Sequence, residues 1–228
     1  MRTIQGRLVK NFKFNHPASI MISGSTGTGK TQMTEKLIQN NCFTKKIKNI
    51  YYFGAVGNCS LDWDQNLPDN IRIHLLEGLP TIKDFLNIPP RSIIIIDDQY
   101  SESIESEAVA LAFKVYRRNK RFSLILITQN VFEKGKHAKT IRNNTEIFIL
   151  FKNYGDREQN KRLAKQLEMK KRYEQCLKDF SRTPDDKHSY CILNASLHCE
   201  DDDLRCMTGI HGEFTNNFPP NMPICYTD

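Results

Sequence analysis

The sequence lacks an apolar run long enough to cross a membrane, and its first residues do not predict a secretory leader. No uninterrupted apolar stretch approaches the roughly 18 residues of a membrane-spanning helix. Residues 1–14 contain no apolar segment of the kind that signal peptides carry. We therefore expect a soluble, intracellular protein that makes no membrane contact.

The cysteines lack the pattern of a disulfide framework. There are seven, an odd number, and no two of them form a CxxC pair, which favours reduced thiols. A zinc site would have to combine Cys191, Cys199 and Cys206 with His198 or His211. Their spacing is not that of a zinc finger or knuckle, which argues against zinc.

Acidic residues are outnumbered by basic ones, 26 against 33, giving a net charge of +7. Positive charge attracts polyanions such as nucleic acid, although this alone identifies no partner. Basic residues cluster at Lys114–Arg121, Lys134–Lys139 and Lys161–Arg172. The middle cluster follows a predicted strand, and we interpret it either as a flexible loop that touches DNA phosphates or as a solvated loop. For the other two clusters, a solvated helix face is the better interpretation.

The order of predicted elements is that of an α/β protein. Its 228 residues, of which 39% are hydrophobic, suit one such domain. The predicted strands are Ser19–Ser23, Ile47–Phe53, Ile71–Leu76, Ser92–Ile96, Ser123–Thr128, Glu146–Phe151 and Tyr190–Asn194. The predicted helices are Lys30–Asn41, Ile82–Leu86, Glu102–Asn119 and Arg157–Tyr173. This alternation predicts a mostly parallel sheet with helices on both faces and a ligand site beyond the carboxyl ends of the strands. We expect a lead-in at residues 1–17, a core at 18–196 and an irregular tail at 197–228.

A glycine-rich segment between the first strand and the first helix matches the phosphate-binding pattern GxxxxGK[ST]. Its glycines let backbone amides turn inward toward a phosphate, and the following helix directs its positive end at the same anion. Lys30 would reach the β- and γ-phosphates, and the Thr31 hydroxyl would bind Mg²⁺. The predicted ATP contacts are Gly24, Ser25, Thr26, Gly27, Thr28, Gly29, Lys30, Thr31 and Gln32.

Two further apolar strands end in polar residues. Ser92–Ile96 is followed by Asp97 and Asp98, a pattern in which Asp97 would hold Mg²⁺ and Asp98 would orient the attacking water. Ser123–Thr128 is followed by Gln129, whose amide would contact that water or the γ-phosphate. The alternative is that Gln129 only caps a loop or helix.

Five blocks in the sequence resemble a known family. They are HPASIMISGSTGTGKT, LLEGLP, IIIIDDQ, LILITQNVFEKGKHAKTIRNN and IFILFKN. In this order they resemble the genome-packaging ATPases of Polinton/Maverick elements, adintoviruses and virophages. Those are related to the poxvirus and adenovirus packaging ATPases of the FtsK–HerA branch. The resemblance runs from about Phe14 to Asn194, and its most specific part is the ITQN…FKN block.

The resemblance implies a RecA-like core and a homo-oligomeric ring, pentameric or hexameric, that pumps double-stranded DNA into a capsid at its vertex. It implies Lys30 as the phosphate-binding lysine, Thr31 and Asp97 as Mg²⁺ ligands, Asp98 as second acid and Gln129 as sensor. The protein would then act inside an infected host, in the nucleus or a viral factory, or with the virion.

A ring ATPase also needs an arginine that reaches the neighbouring subunit's γ-phosphate. The candidates are Arg117, Arg118, Arg121, Arg142, Arg157 and Arg162. Most of these must be solvated surface charges. Arg142 is favoured because it lies between two predicted strands, and Arg157 is second. The family often has an Arg-Asp pair after FKN and paired histidines before the sensor strand, and this sequence has neither. These departures leave the choice of arginine open.

A monomeric P-loop nucleotide kinase or nucleotide-dependent switch is the alternative function. A P-loop kinase usually needs a lid and an acceptor pocket. The sequence shows no arginine-rich lid, because its basic stretches are scattered and rich in lysine.

Overall fold

The computed structural model describes residues 6–54, 67, 70–153, 155–180, 188–210 and 222–227. Its strands are β1 (Arg7–Leu8), β2 (Ser19–Ser23), β3 (Asn49–Phe53), β4 (Arg72–Leu76), β5 (Ser92–Ile96), β6 (Ser123–Thr128), β7 (Ile147–Phe151), β8 (Tyr190–Asn194), β9 (Cys206–Thr208) and β10 (Ile224–Cys225). Its α-helices are α1 (Lys30–Gln39), α2 (Ile82–Asn87), α3 (Tyr100–Ser103), α4 (Glu107–Leu111), α5 (Arg117–Lys120), α6 (Ala138–Asn143), α7 (Arg157–Gln166) and α8 (Lys170–Phe180).

All ten strands form one mixed sheet in the order β1-β10-β9-β8-β7-β2-β6-β5-β3-β4. The six strands from β7 to β4 in this order are parallel. The remaining four, β8, β9, β10 and β1, extend the sheet in antiparallel fashion from β7. The predicted mostly parallel sheet is therefore confirmed, and it carries four further antiparallel strands at one edge.

The central strands are buried along their whole length, and their alternate residues enter two different apolar clusters. Ile94 and Ile96 of β5 pack in one cluster with Phe113, which lies between α4 and α5. Ile93 and Ile95 pack in the other, with Leu37 of α1. Because successive strand residues point to opposite faces, helices cover both sides of the sheet, as the continuous isoleucine run predicts.

The predicted helix Glu102–Asn119 is not continuous. It is divided into α3, α4 and α5, with a π-helical turn at Ala112–Tyr116 between α4 and α5. The Ser106 side chain accepts a hydrogen bond from the Val109 amide and begins α4 as an N-cap. The expectation of one helix was wrong because apolar spacing alone does not register a cap or an inserted residue.

The predicted helix Arg157–Tyr173 is also divided. α7 ends at Gln166 and α8 begins at Lys170. Glu168 lies between them with a φ of 60°, in the left-handed region. A residue in that conformation ends a right-handed helix, so this expectation was wrong as well.

Arg117 forms an ion pair in the interior. Its guanidinium donates to both carboxylate oxygens of Glu146, at 2.9 and 3.0 Å, and to the Pro17 carbonyl at 3.3 Å. The side chain is almost fully buried, so Arg117 is not one of the solvated arginines. Removing one partner of a buried pair costs about 3–5 kcal/mol. The pair therefore ties the end of the segmented helix to the start of β7.

The two ends of the described chain contribute to the sheet. Arg7 and Leu8 pair with β10, and β10 pairs with β9. The expectation of an irregular tail fails at β9, at β10 and at the 3₁₀ turn Asp202–Arg205. Their physical basis is burial, since Met207 and Cys225 are fully inaccessible. Residues 211–221 and 228 lie outside the described residues.

None of the described helices has the length and apolarity that a membrane crossing requires. Within the described ranges, no three His, Cys, Asp or Glu side chains are arranged to hold a metal ion together. Cys191 and Cys206 lie with their sulfur atoms 3.6 Å apart in the interior, and His211 lies outside the described residues.

Candidate active site

The predicted phosphate-binding loop leaves the carboxyl end of β2 and enters α1, as the motif requires. Gly29 is the N-cap of α1, with a φ of 91° that L-residues with side chains rarely adopt. Gly24 lies against β7, where an added Cβ would sit 2.6 Å from Cβ of Phe151 and 2.8 Å from Oγ1 of Thr28. Both glycines are therefore required by the shape of the loop.

The first turn of α1 is open to an anion. Within the described part of the chain, no side chain caps this helix. The amides of Lys30, Thr31 and Gln32 have no partner within the helix, because the first intrahelical bond is donated by Met33 to the Gly29 carbonyl. These amides and the helix dipole together favour a phosphate group at this position.

Lys30 lies inside the loop. Its ammonium donates to the Gly24 carbonyl at 2.7 Å and to the Ser25 carbonyl at 3.0 Å. Burial lowers the pKa of Lys30, and the Asp97 and Asp98 carboxylates oppose that shift. The lysine is thus a partly desolvated cation beside two acids, where a phosphate would be a strong additional partner.

Thr31 and Asp97, 66 positions apart, meet directly. The Thr31 hydroxyl donates to Oδ2 of Asp97 at 3.0 Å, and the Tyr52 hydroxyl donates to the same oxygen at 2.9 Å. Burial raises the pKa of Asp97, while the hydrogen bonds from Tyr52 and Thr31 act against that rise. A hydroxyl and a carboxylate are hard oxygen ligands of the kind that Mg²⁺ takes beside a phosphate. The residues present therefore fit the predicted metal.

Asp98 and Gln129 line one cavity of about 240 Å³ together with Lys30. Strand pairing explains this, since Ser23 is level with Thr128, and Ile96 with Leu126. The other lining residues are Tyr100, Ser101, Glu102, Ile127, Thr128 and Glu133. The structure thus brings the two predicted water-orienting side chains together beside the lysine.

The local cap after β6 is formed by Asn130 rather than Gln129. The Asn130 side-chain oxygen accepts from the Phe132 amide at 2.7 Å, and the Thr128 hydroxyl oxygen accepts from the Asn130 amide at 3.1 Å. Gln129 is exposed toward solvent, so its amide is accessible to a ligand.

Arg142 is not among the residues that line this cavity. It is on α6, with its guanidinium carbon 4.6 Å from the centre of the Phe132 ring, and Arg162 approaches the same ring at 5.7 Å. Arg157 begins α7. An action of Arg142 or Arg157 on a neighbouring subunit stays a prediction.

Sequence reasoning missed two residues at the site. Tyr52 belongs to β3, which pairs with β5, and no motif marks it. His188 precedes β8, and its Nδ1 lies 2.9 Å from the Thr28 carbonyl in the phosphate-binding loop. Each contact depends on how distant segments pair in space. The only available signal was a polar hydroxyl in the apolar strand NIYYF.

No protein-family model and no curated protein matches the sequence. Solved structures do match. One is B204, the DNA-packaging ATPase from Sulfolobus turreted icosahedral virus, with a TM-score of 0.52 and 12% identity over 79% of this chain and 94% of that one. Another is the genome-packaging NTPase B204 from Sulfolobus turreted icosahedral virus 2 in complex with ATP-gammaS, with a TM-score of 0.51 and 13% identity over 79% and 93%. The chain has a P-loop NTPase fold.

At 12–13% sequence identity, the similarity to these two structures shows only that the fold is shared. In this P-loop NTPase fold the glycine-rich loop, Lys30, Thr31 and Asp97 occupy one site, so the predicted fold class is confirmed. The Polinton and adintovirus type and the individual residue roles stay predictions.

Proposed function

We propose that the chain is an ATPase that couples ATP hydrolysis to the translocation of double-stranded DNA, and that it packages a viral or virus-like genome into a capsid. One observation carries the catalytic part: the Thr31 hydroxyl meets the Asp97 carboxylate at 3.0 Å directly beside the loop that holds Lys30. The packaging part is supported by the fold shared with the two viral packaging enzymes.

Different residues of the chain have different roles in the proposed hydrolysis. The loop amides and Lys30 bind and orient the phosphates, which accounts for much of the catalysis in phosphoryl transfer. Thr31 and Asp97 would hold Mg²⁺, which neutralises phosphate charge when bound. Asp98 and Gln129, which line one cavity with Lys30, would orient the attacking water.

The basic loop after β6 is the proposed DNA contact. Lys134 and Lys136 are exposed in this loop, and Lys139 is exposed in the first turn of α6. Their ammonium groups are therefore available to phosphates, and such contacts are independent of sequence and sensitive to salt. We expected a flexible loop, but its backbone is anchored. The Lys136 amide donates to Glu105 at 3.1 Å, and the His137 amide donates to the Ile104 carbonyl at 2.7 Å.

These anchors connect the basic loop to the segment that follows the Asp97–Asp98 pair. The Tyr100 hydroxyl donates to the Val131 carbonyl at 3.5 Å, and the Ser101 hydroxyl donates to Glu133 at 3.2 Å. A change at the γ-phosphate that moves Asp98 is thereby passed to the lysines by hydrogen-bonded contacts.

The working form would be a homo-oligomeric ring of five or six subunits at a capsid vertex. Hydrolysis would occur at subunit interfaces, with Arg142, or failing that Arg157, acting on the neighbour's γ-phosphate. The ring would act within the infected host, in the nucleus or a viral factory, or with the virion.

The deciding experiment measures phosphate release from ATP and Mg²⁺, with and without double-stranded DNA. We expect Lys30→Ala to abolish hydrolysis, because the phosphates lose their cation. Lys36→Ala is the matched control, since Lys36 is exposed on the same helix and should keep wild-type turnover. DNA should stimulate the wild type, and the stimulation should fade as salt is raised.

Hydrolysis by Lys30→Ala at the wild-type rate would refute the assignment of the site. An ATP hydrolysis rate that does not change when DNA is added at low salt would refute translocation. A protein that stays monomeric with an ATP analogue and DNA, and transfers phosphate to a small acceptor, would support the nucleotide kinase instead.

A further inference from the structure

We infer that Tyr52 is a positioning residue for the metal-binding carboxylate: its hydroxyl fixes the orientation of Asp97 and so sets how readily the site takes up Mg²⁺ with ATP. The inference rests on the proposed function. It assigns a role to a residue that lies outside the glycine-rich loop and outside the strand that carries Asp97.

The position of Tyr52 follows from strand pairing. β3 lies beside β5, with Tyr52 level with Ile95. Since residues two apart on a strand share a face, Asp97 follows Ile95 on the face where Tyr52 and Ile95 are packed. The Asp97 amide also donates to the Phe53 carbonyl at 2.9 Å. β3 therefore supports both the backbone and the side chain of Asp97.

The tyrosine ring itself is held in place. It is 4% exposed, and Gly54 lies against its edge, where an added Cβ would be 2.8 Å from Cε1 of the ring. A buried ring with close contacts keeps one rotamer. The hydroxyl is thus presented to Asp97 by a rigid group.

Two hydroxyls converge on a single carboxylate oxygen. Thr31 and Tyr52 both donate to Oδ2 of Asp97, at 3.0 and 2.9 Å. Thr31 is itself a predicted metal ligand, whereas Tyr52 belongs to the sheet and has no other role in the proposed chemistry. Two donors to one oxygen fix the rotation of the carboxylate and direct Oδ1 away from them. A ligand ordered in advance loses less freedom when its partner binds.

The test compares Tyr52→Phe with wild type by measuring the affinity of a fluorescent ATP analogue with and without Mg²⁺. The phenylalanine keeps the ring and removes only the hydroxyl. We expect the Mg²⁺ concentration for half-maximal effect to rise roughly tenfold to a hundredfold, as loss of one hydrogen bond to a charged group implies. Affinity for the analogue without Mg²⁺ should not change. Tyr51→Phe is the matched control, since Tyr51 is the next residue of β3 and stacks on His74 at 4.5 Å.

A second variant tests the same contact without removing the hydroxyl. Gly54→Ala should displace the ring and raise the Mg²⁺ requirement in the same way, and circular dichroism reports whether each variant is folded. Unchanged Mg²⁺ dependence in both folded variants would overturn the role of Tyr52 while leaving the proposed ATPase intact. A wild-type protein that binds no nucleotide at any Mg²⁺ concentration would instead overturn the proposed function, and this inference with it.

Discussion

His188 contacts the phosphate-binding loop from outside. Its Nδ1 lies 2.9 Å from the Thr28 carbonyl, and because a carbonyl oxygen only accepts, this ring nitrogen carries the proton. The ring also lies close to Gly29, where an added Cβ would be 3.1 Å from Nδ1. The histidine therefore supports the loop immediately before α1, the helix predicted to bind the phosphates.

Replacing His188 should loosen the loop rather than alter the chemistry. We expect His188→Ala to raise the KM for ATP by roughly twofold to tenfold, the worth of one neutral hydrogen bond of about 0.5–1.5 kcal/mol. The value of kcat should fall less. His188→Asn, whose amide can donate, should recover part of the affinity. His198→Ala is the control, since that side chain is exposed. If steady-state kinetics gave the same KM for ATP in the wild type and the three variants, His188 would not support the loop.

At the residue scale, the sequence predicts those parts of the site that lie within a contiguous motif. Lys30, Thr31 and Asp97 were found in this way, and the structure brings them together. Tyr52 and His188 were not found, since their partners lie 45 and 160 positions away and only the strand pairing makes them neighbours. Arg117 was misjudged because the π-helical turn before it shifts the helical phase.

The segment that follows β5 and the segment that follows β6 are packed together and joined by hydrogen bonds. The residues after β5 and those after β6 are joined by hydrogen bonds from Lys136 to Glu105 and from His137 to Ile104. Gly135 fits closely against this junction, since an added Cβ would lie 2.5 Å from Cγ1 of Ile104. The proposed DNA loop is thus held by the segment that follows Asp97 and Asp98, the predicted catalytic acids.

Breaking this junction should uncouple DNA from hydrolysis. We expect Glu105→Ala to reduce stimulation by DNA severalfold, because the loop loses a solvent-exposed hydrogen bond worth about 0.5–1.5 kcal/mol. Turnover without DNA should stay near wild type. Glu107→Ala, an exposed carboxylate two residues away, is the control. ATPase assays and DNA-binding titrations measure the two effects separately, and full stimulation in Glu105→Ala would argue against the coupling.

At the element scale, the strands were easier to predict than the helices. A run such as Ser92–Ile96 is buried on both faces, so composition alone identifies it, and its bounds agree with β5. The breaks at Ser106 and Glu168 depend on one cap and one left-handed residue. The last strands, β9 and β10, are too short to show an alternating pattern of burial; β9 pairs with the edge of β8, and β10 pairs with β9.

Assembly into a ring can be tested by mixing two inactive variants. Lys30→Ala subunits have an inactive ATP site but keep Arg142. Arg142→Ala subunits keep Lys30 but lack the arginine. If Arg142 acts on the neighbour, the mixture should hydrolyse ATP although neither variant does alone. Arg162→Ala, which removes the other guanidinium over the Phe132 ring, controls for loss of packing there. An inactive mixture would exclude Arg142 as the arginine that acts on the neighbouring subunit, and Arg157 would then be tested in the same way. A wild-type protein that is monomeric would exclude assembly into a ring.

The strand order has a consequence for the width of the site. β6 lies between β2 and β5, so the strand that carries the glycine-rich loop and the strand that carries Asp97 are second neighbours. Their tips stand two interstrand spacings apart, about 9.5 Å. Gln129 directly follows the intervening strand, and it lines the cavity together with Lys30 and Asp98. The intervening strand therefore separates the glycine-rich loop from Asp97 and brings a side chain of its own to the edge of the sheet between them.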